Sequence, residues 1–123
     1  MFRVSGYLLI VIGVIHVLVG FWICAKPIAD IVRNGLFNAI SPNIFAPNFD
    51  REAAFWFMMF ALPLFALGQL CFWVQAQGIV LPTFLGWNLL AISVIGIFFV
   101  PISGFWLLIL PAILMVRASS LAR

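Results

Sequence analysis

The chain has 123 residues, 67% of them hydrophobic and 7% charged, with six Lys and Arg against three Asp and Glu. Soluble domains carry roughly 45–50% apolar and about 25% charged residues. This composition excludes an ordinary soluble enzyme, a disordered segment and a disulfide scaffold, and it is that of an integral membrane protein whose net charge of +3 suits anionic headgroups and implies no nucleic acid.

Four apolar stretches are predicted to cross the membrane, which takes roughly 20 residues each. The first covers 4–25 and follows Arg3. It is too long for a signal-peptide core of about 7–15 residues and ends on no small-x-small site, so it reads as a retained helix. The second covers 53–74 and begins after Asp50-Arg51-Glu52. The third covers 82–100; the fourth, 103–117, is short and follows Pro101-Ile-Ser-Gly104. The expected fold is all-α: a single membrane domain, 1–123, built as an integral membrane four-helix bundle.

The only long connection is 26–49. Pro27 suits a first helical position. Ile28, Ile31, Val32, Gly35 and Leu36 then share one face, and Lys26, Asp30, Arg33 and Asn34 the other. That pattern predicts an amphipathic helix in the membrane interface, between spans 1 and 2. Residues 37–49, with Pro42 and Pro47, are apolar but broken and would either cap the mouth of the bundle or dip into it, where protein or water must satisfy the irregular backbone. Arg3, Arg117 and Arg123 share one side of the membrane, and Lys26, Arg33 and Arg51 the other. The positive-inside count is balanced. All three acidic residues, Asp30, Asp50 and Glu52, join the second set, which favours cytoplasmic termini.

His16 lies near the middle of span 1. An ionisable residue at that depth faces the bundle interior and marks a site. Ser5, Leu9, Ile12, Gly20 and Ile23 lie on its face, and Gly6, Gly13 and Gly20 recur every seven residues beside it. Small residues at that spacing form a helix-packing seam. A neutral His bonded to a neighbouring helix, a ligand-contacting or proton-carrying His, and a metal or haem ligand all fit. The chain has one His, so bis-His haem would need a second copy and zinc would need Cys or carboxylate partners.

Where span 2 begins, Asn48 or Asp50 can cap the helix and Arg51 can reach the headgroups. Glu52 points along a stripe with Trp56, Met59 and Pro63, toward space beneath the long loop. His16, Glu52, Trp56 and Gln69 are the candidate ligand-binding set. Gln69, Asn88, Ser93 and Ser103 equally serve as bonds between helices. Cys24 and Cys71 form no CxxC and sit near opposite membrane faces, so a disulfide between them is not expected. A weak internal echo pairs 6–15 with 86–95 and makes Gly96 the counterpart of His16.

Ser5-Gly-Tyr-Leu-Leu, Ile12-Gly-Val-Ile-His16 with Gly20, Gly35-Leu-Phe-Asn-Ala39, Asp50-Arg-Glu-Ala-Ala-Phe-Trp-Phe57, Gly68-Gln69 and Pro101-Ile-Ser-Gly-Phe-Trp106 form a set. Together they resemble, across nearly the whole chain, a family of small four-helix bacterial membrane proteins defined only as a domain of unknown function. The resemblance implies a multi-pass protein of the bacterial inner membrane and carries no activity. A looser likeness to the DoxX-like group rests on Ile12-Gly-x-x-His16; that group is associated with quinone-linked redox systems.

The leading expectation is a module that binds a lipophilic or quinone-like small molecule in an intramembrane pocket near His16. The alternatives are an accessory subunit that docks a membrane protein partner through Gly6, Gly13 and Gly20, and a homodimeric small transporter. Enzymatic use of His16 with Glu52 is disfavoured, because they lie roughly 15 Å apart along the membrane normal by helical rise. No catalytic or metal-ligating residue is assigned, and the cofactor is left open.

Overall fold

Six helices and no strand make up the described residues, 1–122, of the computed structural model: α1 (Phe2–Ile23), α2 (Ala25–Arg33), α3 (Phe49–Met59), α4 (Ala61–Gln77), α5 (Thr83–Phe99) and α6 (Phe105–Leu121). Arg123, counted above with the terminal charges, lies outside the described residues.

The 22 residues of α1 contain no Pro, so nothing interrupts its backbone ladder. Cys24 alone separates α1 from α2: its N–H donates to Gly20 O at 2.9 Å, and Ile28 N–H returns to Cys24 O at 3.0 Å. The helix therefore starts two residues before Pro27. Pro27 still falls in the first turn, where its missing N–H would have had no intrahelical acceptor. The expected apolar face is shortened, because α2 stops at Arg33 and leaves Gly35 and Leu36 beyond its end.

Gly35 takes φ +85°. Its N–H reaches Val32 O at 3.1 Å, and Leu36 N–H reaches Ile31 O at 3.2 Å. This is the paired closure by which glycine ends helices. A methyl at Gly35 would meet nothing within 4 Å, so only the left-handed backbone would resist it. Gly35→Ala is expected to lower stability by about 1–2 kcal/mol, read from thermal unfolding in detergent.

Met58 and Met59 close α3, and Phe60 alone joins it to α4. Pro63 sits in the first turn of α4, where its lost N–H is tolerated. Phe49–Gln77 is one of two apolar helical stretches long enough to cross a membrane, at 29 residues; Phe2–Ile23 is the other, at 22. The apolar helices α5 and α6 have 17 residues each. The stretches 4–25, 82–100 and 103–117 each coincide with one helix whose ends are shifted, and 53–74 is divided between α3 and α4 at Phe60. The fourth starts later because 101–104 forms the turn, held by Trp106 Nε1–H donating to Pro101 O at 2.9 Å.

Packing divides the chain into two compact units. One comprises Met1–Gly13 with Leu64 onward. Here the start of α1 runs antiparallel to α4. A methyl on Gly6 would lie 2.9 Å from Gly68 O, and one on Gly68 would lie 3.0 Å from Gly6 O. Phe65 covers Gly13. Helices α5 and α6 pack closely on one another; a methyl on Gly86 would lie 2.8 Å from the Val116 amide nitrogen. Leu9, Cys71, Val74, Leu108 and Met115 form the dry centre. Ser93 fits there because its hydroxyl donates back to Leu89 O at 2.8 Å.

The other unit is Val14–Pro63, in which α2 packs on α3. No residue of α2 is buried. Ala39 and Ala54 are the small buried residues where the loop after α2 meets α3.

Candidate functional site

The site is built where loop 34–48 returns to α3. Asn48 is the N-cap: its Oδ1 accepts from Arg51 N–H at 3.1 Å, satisfying a donor the helix leaves open. Ser41 Oγ accepts from Asn48 N–H at 3.0 Å and donates to Glu52 Oε1 at 2.6 Å. Arg51 Nη1–H donates to Ala39 O at 2.7 Å. Its Nε is buried with no hydrogen-bond partner. Two adjacent residues of the first turn, Arg51 and Glu52, therefore hold two nearby points of the same loop, Ala39 and Ser41. Ser41 and the inward use of Arg51 escape sequence reasoning. Nothing local marks a Ser eleven residues ahead of a Glu as its partner.

Beneath this clasp lies an open cleft of about 510 Å³, bordered by Leu36, Ile40, Phe55 and Trp56 and by the polar groups of Asn38, Ser41 and Glu52. Small-molecule sites commonly measure about 300–1,000 Å³ and pair apolar walls with a few polar groups. Glu52 and Trp56 stand one turn apart on α3 and both face it. Ser41 occupies Oε1, which leaves Oε2 to accept from an incoming donor. Trp56 is 66% exposed, with its ring edge-on to Phe55 at 5.1 Å between centroids. Leu36 and Asn38 both hold left-handed backbone, at φ +65° and +51°. Asn tolerates that region; Leu does so at a cost of about 1–2 kcal/mol. Both residues border the cleft, and such strain collects at ligand clamps.

His16 is placed differently. Its ring stacks on Phe57 at 4.0 Å between centroids and 15° between planes, with Phe60 edge-on at 5.5 Å. His16 Nε2 lies 2.6 Å from Phe57 O, so Nε2 carries the proton and donates. The helix break explains the partner. A helix ending at Met59 leaves the carbonyls of its last turn without intrahelical donors. Phe60 N–H takes Trp56 O at 3.1 Å, and His16 takes the next one. The cleft residues do not include His16.

Gln69 is exposed on α4 and belongs to the other unit. Gly6, Gly13 and Gly20 are all buried. Gly6 lies against Gly68, Cys71 and Phe72, Gly13 against Phe65, and Gly20 against Met58 and Phe57. All three are covered by the chain's own residues. Cys24 and Cys71 are free thiols. Among the described residues no three His, Cys, Asp or Glu side chains gather as a metal site.

These features define a small all-α protein with two helical stretches able to cross a membrane and a loop-roofed cleft at the start of the second. The chain belongs to the family of unknown function DUF6463, whose model matches residues 1–122. That match supplies no link to the DoxX-like group. No curated protein and no solved structure matches the chain.

Proposed function

We propose that this protein is a small binding module of the bacterial inner membrane, with four spans and cytoplasmic termini, that holds a lipophilic, quinone-like molecule in the Glu52–Trp56 cleft. The membrane placement is supported by side chains such as Phe37, Phe45 and Ile102, exposed at 92%, 90% and 97%. Exposed apolar surface on that scale belongs against lipid. Spans α5 and α6 sit at the short end of the usual range of about 17–25 residues and need little tilt.

The observation that carries the binding proposal is a carboxylate with one oxygen fixed by Ser41 and the other left open in an apolar-walled cleft. An acceptor of this kind selects a ligand bearing a hydroxyl, as in the reduced, quinol form. Trp56 offers a flat face for its ring. His16 serves this site indirectly, by fixing the end of α3.

Decylubiquinol titrated into the detergent-solubilised protein tests the proposal through quenching of tryptophan emission. Glu52→Gln is expected to raise Kd about tenfold or more, as for loss of a charged hydrogen bond. The oxidised quinone, lacking hydroxyl donors, is expected to bind more weakly than the quinol. Equal Kd values for wild type and Glu52→Gln would overturn the proposal.

A further inference from the structure

A second open cleft, also of about 510 Å³, lies in the other unit and is bordered by Arg3, Tyr7, Phe72, Gln75 and Ala76. Arg3 and Tyr7 are one turn apart on α1; Phe72, Gln75 and Ala76 share a face of α4. Because the start of α1 runs antiparallel to α4, Arg3 and Gln75 meet at the same end of the pair. The Tyr7 ring is fixed edge-on against Phe72, at 4.8 Å and 69°.

The charge balance at this place is one-sided. Asp30, Asp50 and Glu52, the chain's three acidic residues, all belong to the unit Val14–Pro63. Arg3 therefore has no Asp or Glu side chain within its own unit. The ion pair found among the described residues joins Arg33 to Asp30, at 3.5 Å. Three residues with side-chain donors, the exposed Arg3, Tyr7 and Gln75, thus border a cleft whose remaining lining, Phe72 and Ala76, is apolar. Guanidinium binds phosphate oxygens through two parallel N–H bonds.

We propose that this cleft binds the headgroup of an anionic phospholipid, with the phosphate on Arg3, Gln75 and Tyr7 and the glycerol end of the acyl chains along Phe72 and Ala76. The inference rests on the membrane placement proposed above and is independent of the ligand at Glu52. The ligand is a lipid rather than a soluble phosphate because the phenyl ring and the Ala76 methyl extend the donor cluster into apolar surface.

The test is native mass spectrometry of protein released from nanodiscs of equal phosphatidylglycerol and phosphatidylcholine. Wild type is expected to retain phosphatidylglycerol about fivefold over phosphatidylcholine, the preference one Arg gives at an anionic surface. Arg3→Gln is expected to lose that preference, while Arg117→Gln, at an exposed Arg outside the cleft, keeps it. Equal retention of the two lipids by wild type, or an unchanged preference in Arg3→Gln, overturns the lipid site while leaving the membrane placement standing. Failure to enter nanodiscs at all overturns both. Competitive release of phosphatidylglycerol by millimolar inorganic phosphate, with no preference among lipids, reassigns the cleft to a soluble anion and likewise overturns the proposal.

Discussion

Gly6→Leu is expected to destabilise the unit built on the start of α1 and on α4 by about 3 kcal/mol or more, the upper range for overpacking. The nearest obstacle is backbone, and the Phe72 ring lies 3.0 Å away beside it. The first added carbon would lie 2.9 Å from Gly68 O and 3.2 Å from Cys71 Cβ. A carbonyl oxygen in a helix ladder cannot rotate away, so the two helices must part. Parting them uncovers Cys71 and Val74, which are dry in the intact structure. Small residues at such crossings matter most where lipid replaces water, because close packing then supplies most of the attraction between helices. Gly104→Ala is the control: nothing lies within 4 Å of its added carbon, and its φ of −73° suits any residue. Thermal unfolding in detergent separates the two. A Gly6→Leu melt matching that of Gly104→Ala would refute the contact.

His16→Ala is the second large effect, expected at about 2 kcal/mol. It leaves Phe57 O without the donor now 2.6 Å away and removes the ring stacked on Phe57. An unmade bond at a part-buried carbonyl costs about 1–3 kcal/mol, and an aromatic pair contributes about 0.5–1.5 kcal/mol. The mean interhelical bond in a membrane is smaller, near ~0.6 kcal/mol, because the unfolded chain finds other partners. The Phe57 carbonyl at a helix break has fewer such alternatives, which places the expected loss above that mean. His16→Phe keeps a ring and loses the donor, and is expected to recover the stacking share alone. Unfolding by SDS in mixed micelles measures both. If His16→Ala and His16→Phe unfold together with wild type, the bond to Phe57 O carries no stability.

The helices were legible in the sequence because their signals are local. Apolar runs, the Asn48 cap and Pro101-Ile-Ser-Gly104 as a turn each act within a few residues, whereas Gly35, expected on the face of α2, ends that helix instead. The shifts at helix ends follow from context: Pro27 is as acceptable at a third position as at a first, and Pro111 is carried inside α6. The candidate site was legible only in part. Glu52 and Trp56 share a face by helical spacing alone, and both border the cleft. The loop above them could be named but not folded, since it is shaped by the Ser41–Glu52 and Arg51–Ala39 bonds and by left-handed backbone at Leu36 and Asn38, none of which a local pattern marks. His16 stands out in the sequence as an ionisable residue within an apolar run, and in the structure it is half-buried. Its partner is a main-chain oxygen, and no residue identity encodes an open carbonyl. Gln69 shows the opposite limit: polarity within an apolar stretch marks it, yet its side chain is exposed. Gly96, the counterpart of His16 in the weak internal echo, is covered by the Phe105 ring.

Occupancy of the Glu52–Trp56 cleft is the claim on which the proposed function stands. Native mass spectrometry of the protein released gently from the membranes in which it is made addresses it without choosing a ligand in advance. The expected spectrum shows a retained non-phospholipid mass of quinone-like size on wild type, which Glu52→Gln loses while its phospholipid adducts persist. Wild-type chains carrying phospholipid alone would contradict it.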